Sequence, residues 1–333
     1  MFKKLVKYAK IYFTYFFCFG PQVAVKLAVI HLFLKNKPPY DINNYKHKVI
    51  KEYLKKRYIK VINDFREKHN KTDPSFAENY PVWFLWWQGE SNMPPIVKVC
   101  YQTLKKYSNG HVINLLTKDN LYDFINLPDY VIKKAEKNII SLTHFSDIIR
   151  VCLLYEHGGL WLDSTVLLTA PLQSLPQICS QFGFWTPKDD GVILELCFKA
   201  RNWIVRENRW LTFCIYLSKH NILAEFLRIV FFLYVKSKNH FIDYFLFDYF
   251  ISIAYDTLPE IRIMIDSVPE NNPKVHEIYH RLNLNYEYNS VLFENICNDT
   301  FFHKLNWKED FKEYTETGKL TNYGYIIKNY PPK

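Results

Sequence analysis

The 333-residue chain contains no Cys-x-x-Cys pair, no low-complexity tract and no internal repeat, and only nine glycines. Its seven cysteines are irregularly spaced, which favours buried reduced thiols over a disulfide framework. Cys152 and Cys197 sit in apolar surroundings, so reduced, buried thiols and a reducing, cytosolic environment are expected. With 49% hydrophobic residues and no biased tract, general disorder is excluded. The length suits one large domain or two moderate ones.

Acidic residues are missing from residues 1–40, which hold seven lysines. Residues 1–60 contain fourteen basic and two acidic residues, a net of +12 against +10 for the whole chain. The body is therefore nearly neutral. A fold-wide basic surface is absent, which argues against nucleic acid as a partner.

The N-terminus also lacks a small-x-small cleavage site after its apolar run, which speaks against a secretory signal. The uncharged stretch 11–25 is shorter than the roughly 20 residues a spanning helix needs, and Gly20-Pro21 interrupts it. Lys3, Lys7 and Lys10 fall on one helical face among Phe2, Leu5, Val6 and Tyr8. This mixture predicts an interfacial helical hairpin, with aromatics at headgroup depth and lysines facing an anionic membrane surface. A packed helical subdomain or an oligomer contact is the alternative. Residues 40–72 read as a basic amphipathic helix. The segment 1–75 is set apart from a body at 76–333.

From Tyr80 onward the texture changes to α/β. Residues 81–90 form a buried strand, 96–107 a helix, 111–117 a strand, and 121–138 a helix-turn-helix-like stretch. The clearest helix is expected within 144–159, as a helix over 146–157 with Ser146 as its N-cap and Asp147 in its first turn. Gly158-Gly159 ends it, and a strand follows over 160–168. Aromatic helices are expected at 204–217, 222–235 and 241–255, with Asp243 and Asp248 in the last. Alternating strands and helices predict a largely parallel sheet, with ligands collecting at the strands' carboxyl ends.

Chemistry concentrates where a helix start and a strand end converge. Asp147 and Arg150 share a helical face, and the strand Leu160-Trp161-Leu162 delivers Asp163 to its end. Two acids with a fixed cation can hold sugar hydroxyls, a ribose or a metal-bound diphosphate. Each feature alone is ordinary helix capping or surface pairing.

Together, SDIIRVCLLYEHGGLWLDSTVLL resembles glycosyltransferases with a DXD-containing sugar-binding region. It is most similar to the bacterial capsular polysaccharide synthesis proteins of glycosyltransferase family 32. WFLWWQGE with PPIVK, and the late FFHKLNWK, also resemble that group. The resemblance implies a GT-A (Rossmann-like) fold, with a nucleotide-sugar-binding half at 76–190 and an acceptor-side half at 191–333. It implies a retaining transferase moving a hexose from a nucleotide-sugar donor, a UDP-sugar by preference. By matching position, Asp147 and Arg150 hold the donor sugar's hydroxyls, Asp163 is the first DXD acid, and Trp86 stacks on the nucleobase.

The departure is Thr165, where a second DXD acid is expected. A divalent metal, Mn²⁺ or Mg²⁺, is then expected to rely on Asp163, donor phosphates, water and a distant ligand, for which His303 is the candidate. His303 reads equally as a partly buried histidine between aromatics. Lys304 is placed to neutralise the leaving diphosphate. With the basic N-terminus, the expected acceptor is a polyprenyl-diphosphate-linked glycan at the cytoplasmic face of a bacterial inner membrane. The rival reading is a catalytically inactive GT-A scaffold at that surface.

Overall fold

The structure is a computed structural model, and it describes residues 2–30, 39–68, 79–172, 182–188 and 210–330. Four helices come first: α1 (Phe2–Phe19), α2 (Pro21–Val29), α3 (Pro39–Arg57) and α4 (Ile59–Lys68). The α/β part then runs β1 (Val82–Leu85), α5 (Pro95–Tyr107), β2 (Ile113–Leu116), α6 (Asp129–Glu136), α7 (Leu142–Glu156), β3 (Gly159–Leu162) and β4 (Val166–Leu168). It continues with β5 (Phe184–Trp185), β6 (Cys214–Leu217), α8 (Ile222–Ser237), α9 (Leu246–Thr257) and α10 (Pro259–Asp266). Last are α11 (Glu277–Asn283), α12 (Ser290–Cys297), β7 (Phe302–Lys304) and α13 (Asn322–Asn329).

Among the described residues the main sheet has five strands in the order β2-β1-β3-β6-β5. β1 runs parallel to both β2 and β3, while β6 is antiparallel to β3 and β5. All four residues of β1, β3 and β6 are buried, which requires cover on both faces and explains their unbroken apolar runs. A separate antiparallel ribbon pairs β4 with β7. The α/β class is as expected, but the sheet is mixed rather than largely parallel, with two parallel and two antiparallel pairings among the described residues.

Several local expectations are corrected. The strand expected over 160–168 is two strands in different sheets, separated by the turn Asp163-Ser164-Thr165. Within the helix expected over 204–217, Cys214–Leu217 is strand β6, and 204–209 lies outside the described residues. The helix expected from 241 starts at Leu246. The single basic helix over 40–72 is broken at Tyr58 into α3 and α4.

α1 and α2 form a hairpin at Gly20, whose φ of 96° suits glycine, and Pro21 opens α2, where no backbone N–H is required. The hairpin packs against the body. Phe19, Val23 and Leu27 are buried in the same cluster as the sheet, and the Tyr15 hydroxyl donates to the Ile242 carbonyl at 3.2 Å. α3 is pinned to α9, with His47 Nδ1 2.7 Å from the Tyr249 hydroxyl and Lys51 paired to Asp256 at 2.7 Å. Phe13, Phe16 and Phe17 remain exposed on α1. No helix among the described residues is long and apolar enough to cross a membrane. Cys18, Cys100, Cys152, Cys214 and Cys297 are free, while Cys197 lies outside the described residues.

Candidate active site

Because β1 and β3 are parallel and in register, with Phe84 opposite Leu162, their carboxyl ends reach the same sheet edge. Trp86 and Asp163 emerge there, where α/β sheets collect ligands. α7 brings a third wall. Its N-cap is Ser141, whose hydroxyl accepts from the His144 N–H at 3.3 Å, so the helix begins a turn earlier than the sequence suggests. Ser146 instead donates to the Thr143 carbonyl at 2.6 Å, and Asp147 stands in the second turn. Asp147 therefore stands beyond the first turn, which is where a helix dipole favours a carboxylate. Thr143, Ser146, Asp147 and Arg150 still share one face, as spacings of three and four require.

Two glycines fix the angle between α7 and β3. Gly158 and Gly159 have φ of 69° and 105°, and a Cβ on Gly159 would lie 2.2 Å from the Pro81 carbonyl. Only glycine fits that approach.

The resulting pocket has a volume of about 310 Å³. Asp147, Arg150, Asp163 and Trp86 all line it, as the sequence leads one to expect. Arg150 is the centre of its charge network. It donates to Asp163 Oδ1 at 3.1 Å, lies 3.5 Å from Asp147 Oδ1, and donates to the Thr212 carbonyl at 2.8 Å. Its guanidinium lies over the Trp161 and Phe247 rings, 4.8 and 5.1 Å from their centroids. Trp161 Nε1 also donates to Asp163 Oδ1, at 2.9 Å.

Lys304, 141 residues further along the chain, does not line the pocket itself but holds the lining residue Asp163 from behind. Its ammonium donates to Asp163 Oδ2 at 2.8 Å and to Thr165 Oγ1 at 2.9 Å. The ribbon β4–β7 positions it, with Lys304 opposite Val166 and the Leu305 N–H bound to the Thr165 carbonyl at 2.8 Å. Burial pushes the Asp163 carboxyl up, but Lys304 and Arg150 together outweigh it, and its pKa falls below the usual carboxylate range.

Asp147 has the opposite fate. Burial pushes it up to about 7, opposed by Arg150 and reinforced by Asp248 and Asp163. Asp248, at the start of α9, is pushed up to about 6 by burial, against a hydrogen bond from Trp210 Nε1 at 3.1 Å and the nearby Arg150.

Trp86 donates through Nε1 to the Asn92 carbonyl at 3.2 Å and meets Trp307 edge-on, with centroids 5.4 Å apart. Tyr244, Phe247, Asp248, Trp307 and Lys308 line the pocket as well. The late FFHKLNWK run was the only sequence signal pointing at the last two. His303 is not brought to this site. It is fully buried on the other face of β7, with Nε2 3.1 Å from the Thr169 hydroxyl, and burial lowers it to about 3.

A hard dication seeks several oxygen ligands. Here both Asp163 oxygens and the Thr165 hydroxyl already hold cationic or N–H donors, and His303 faces elsewhere. No group of three or more His, Cys, Asp or Glu among the described residues could hold a metal ion. A metal at Asp163 would also meet two fixed positive charges. At 4 Å and an effective dielectric of 20, each unit pair costs about 4 kcal/mol. The residues present do not fit Mn²⁺ or Mg²⁺ at Asp163, and no chemical step is assigned to a metal.

Comparison with known proteins completes the description. No curated protein matches the sequence. Among solved structures, the chain is similar to "PaToxG Glycosyltransferase", at 13% identity and a TM-score of 0.35, covering 77% of this chain and 100% of that one. It is also similar to the WbbM bifunctional glycosyltransferase in its apo form, at 12% identity and a TM-score of 0.37, covering 78% of this chain. The alignment takes in about half of WbbM, 51% of that chain. The family model described as "Capsular polysaccharide synthesis protein" matches residues 31–325, and the chain belongs to that family.

Proposed function

We propose that the protein is a retaining glycosyltransferase of capsular polysaccharide synthesis. In this reading it transfers a hexose from a nucleotide-sugar donor, a UDP-sugar by preference, to a polyprenyl-diphosphate-linked glycan. One observation carries the proposal: Arg150 joins Asp147 and Asp163 in a pocket of about 310 Å³ walled by aromatic rings. Sugar hydroxyls are bound by carboxylates and guanidinium groups, and bases and sugar faces pack on indoles.

Each residue then has a task. Asp147 and Arg150 orient the donor sugar, and Asp163 receives the ribose or sugar hydroxyls. Trp86 and Trp307 hold the base. Lys304 and Lys308 meet the diphosphate, whose growing negative charge is the main electrostatic demand as the glycosidic bond breaks. The acceptor hydroxyl attacks the face that the diphosphate leaves, which retains configuration without a covalent intermediate. In this reading Asp248, on the wall formed by α9, hydrogen-bonds the acceptor.

The N-terminal hairpin supports an address at the cytoplasmic face of a bacterial inner membrane. Exposed Phe13, Phe16 and Phe17 lie in a segment rich in lysine and free of acid, the composition of an interfacial helix. Residence at the surface raises the local concentration of a lipid-linked acceptor.

Donor turnover tests the reading. Nucleoside diphosphate release is measured across UDP- and GDP-sugars with the full chain. One donor class is expected to turn over, and Asp163→Ala to remove that turnover. No turnover with any donor, together with indifference to Asp163→Ala, rejects it in favour of a non-catalytic scaffold.

A further inference from the structure

Lys304 occupies a position that invites comparison with a metal ion. Its ammonium bridges the first and third residues of the Asp163-Ser164-Thr165 turn, at 2.8 and 2.9 Å. A cation bound jointly by the two ends of a DXD triplet would span the same pair of side chains. In this chain the third residue is Thr165, a neutral acceptor suited to an ammonium N–H and poorly matched to a dication.

We infer that the Lys304 ammonium is the resident cation of the donor site, and that donor diphosphate binds through it without a divalent metal. This rests on the glycosyltransferase reading and adds to it the identity of the cation. An ammonium has three N–H donors. Two are used on Asp163 and Thr165, and the third has no partner among the described residues. The side chain is 23% exposed and the Asp163 it holds lines the pocket, so that donor is assigned to a phosphate oxygen.

The cation is held in place before any ligand arrives. The Lys304 backbone N–H binds the Val275 carbonyl at 2.9 Å, and the β4–β7 ribbon fixes the strand beneath it. The Phe213 ring lies 5.1 Å from Nζ, giving the charge an aromatic face as further support. Arg150 on the other Asp163 oxygen means that the carboxylate is already neutralised, so the excess positive charge of the pair is available to an incoming diphosphate. No bond is made or broken by Lys304 itself. Its role is to bind the diphosphate and to stabilise the charge that collects on it.

The test is calorimetric titration of the full chain with UDP and with GDP, in excess EDTA and again in excess Mn²⁺ or Mg²⁺. One nucleotide is expected to bind in EDTA with an affinity within about threefold of that in metal, since the charge-assisted bonds come from protein groups. Lys304→Met is expected to weaken binding in EDTA by roughly tenfold or more, and Lys304→Arg to keep most of it. Near-ultraviolet circular dichroism monitors the fold of both variants. If Lys304→Met fails to fold, the wild-type comparison in EDTA and the Arg variant still decide. Binding only in the presence of Mn²⁺ or Mg²⁺ overturns the inference but leaves the transferase reading standing. So does binding in EDTA that is unchanged in a folded Lys304→Met. Absence of binding by either nucleotide in every condition removes the transferase reading and this inference with it.

Discussion

The two ends of the pocket contain the same chemical group in opposite states. Asp163 faces Arg150 and Lys304 and is held below the usual carboxylate range, whereas Asp147 lies beside Arg150 alone, Asp248 is bonded by the neutral Trp210 Nε1, and burial pushes the two up to about 7 and about 6. All three are substantially desolvated. The difference is the number of cations each one touches: two for Asp163, one for Asp147 at 3.5 Å, and none bonded to Asp248 among the described residues. Burial alone therefore does not fix a carboxylate's charge; its partners within hydrogen-bond distance decide. One end is a permanent anion held between two cations, and the other can gain or lose a proton near neutrality.

Removing the shared cation breaks this contrast most severely. Arg150→Ala leaves Asp147 and Asp163 buried without their common partner, and a loss of roughly 3–5 kcal/mol in unfolding free energy is expected. Urea denaturation measures it. Replacing Asp163 with Asn keeps the shape and removes the anion. Donor turnover is expected to fall by roughly 10²–10³-fold, read as initial rates of nucleoside diphosphate release.

The proton-exchanging end is sharpened by a pH series. A carboxyl raised in the folded state binds a proton that the unfolded chain has already lost, so its contribution to stability declines as pH rises between the two values. For Asp147 that window runs from 3.8 to about 7. His276 and His303, both lowered to about 3 by burial, act in the other direction below 6.5. Asp147→Asn removes one declining contribution. Relative to wild type, its unfolding free energy is expected to rise with pH by about 1.4 kcal/mol per unit between about pH 4.5 and 6. Denaturation midpoints at several pH values check this, and an unchanged slope refutes the assignment.

The smallest stability effect belongs to the exposed ring cluster on α1. Substituting Phe13, Phe16 and Phe17 with Ser is expected to change stability by less than about 0.5 kcal/mol per site. Sedimentation with vesicles containing anionic lipid is nevertheless expected to fall. Equal sedimentation of variant and wild type contradicts the membrane address.

How much of this was legible in the sequence follows from the range of each interaction. Asp147, Arg150 and Asp163 lie within one helix-to-strand passage, so local spacing placed them together and the structure agrees. Trp86 followed from strand order. Asp248 was visible as an acid in an aromatic run, but its approach to Arg150 depends on how α9 packs, which no local pattern encodes. Lys308 and Trp307 reach the pocket through the β4–β7 ribbon, a pairing between segments far apart in the chain. Strand β6 was misread because four fully buried residues show no alternation, and a short apolar run looks the same in helix and strand. Ser146 looked like a cap because it precedes an acid and an apolar run, yet Ser141 five residues earlier is the one whose hydroxyl meets a free backbone N–H. His303 was misassigned because strand neighbours point to opposite faces, so contact by Lys304 turns His303 away.

The ribbon that brings Lys304 to Asp163 also sets an order of events during synthesis. The helix and strand bearing Asp147, Arg150 and Asp163 leave the ribosome first, and their second cation follows 141 residues later. Until β7 emerges, Asp163 has Arg150 as its one cation beside the Trp161 N–H, and β4 after the Asp163-Ser164-Thr165 turn has no partner strand. The charge network of the site is therefore completed only once β7 has emerged, by a contact of long sequence separation that is slow to form. A nascent chain stalled before Phe302 would carry every acid of the site and still lack the group that settles its charge.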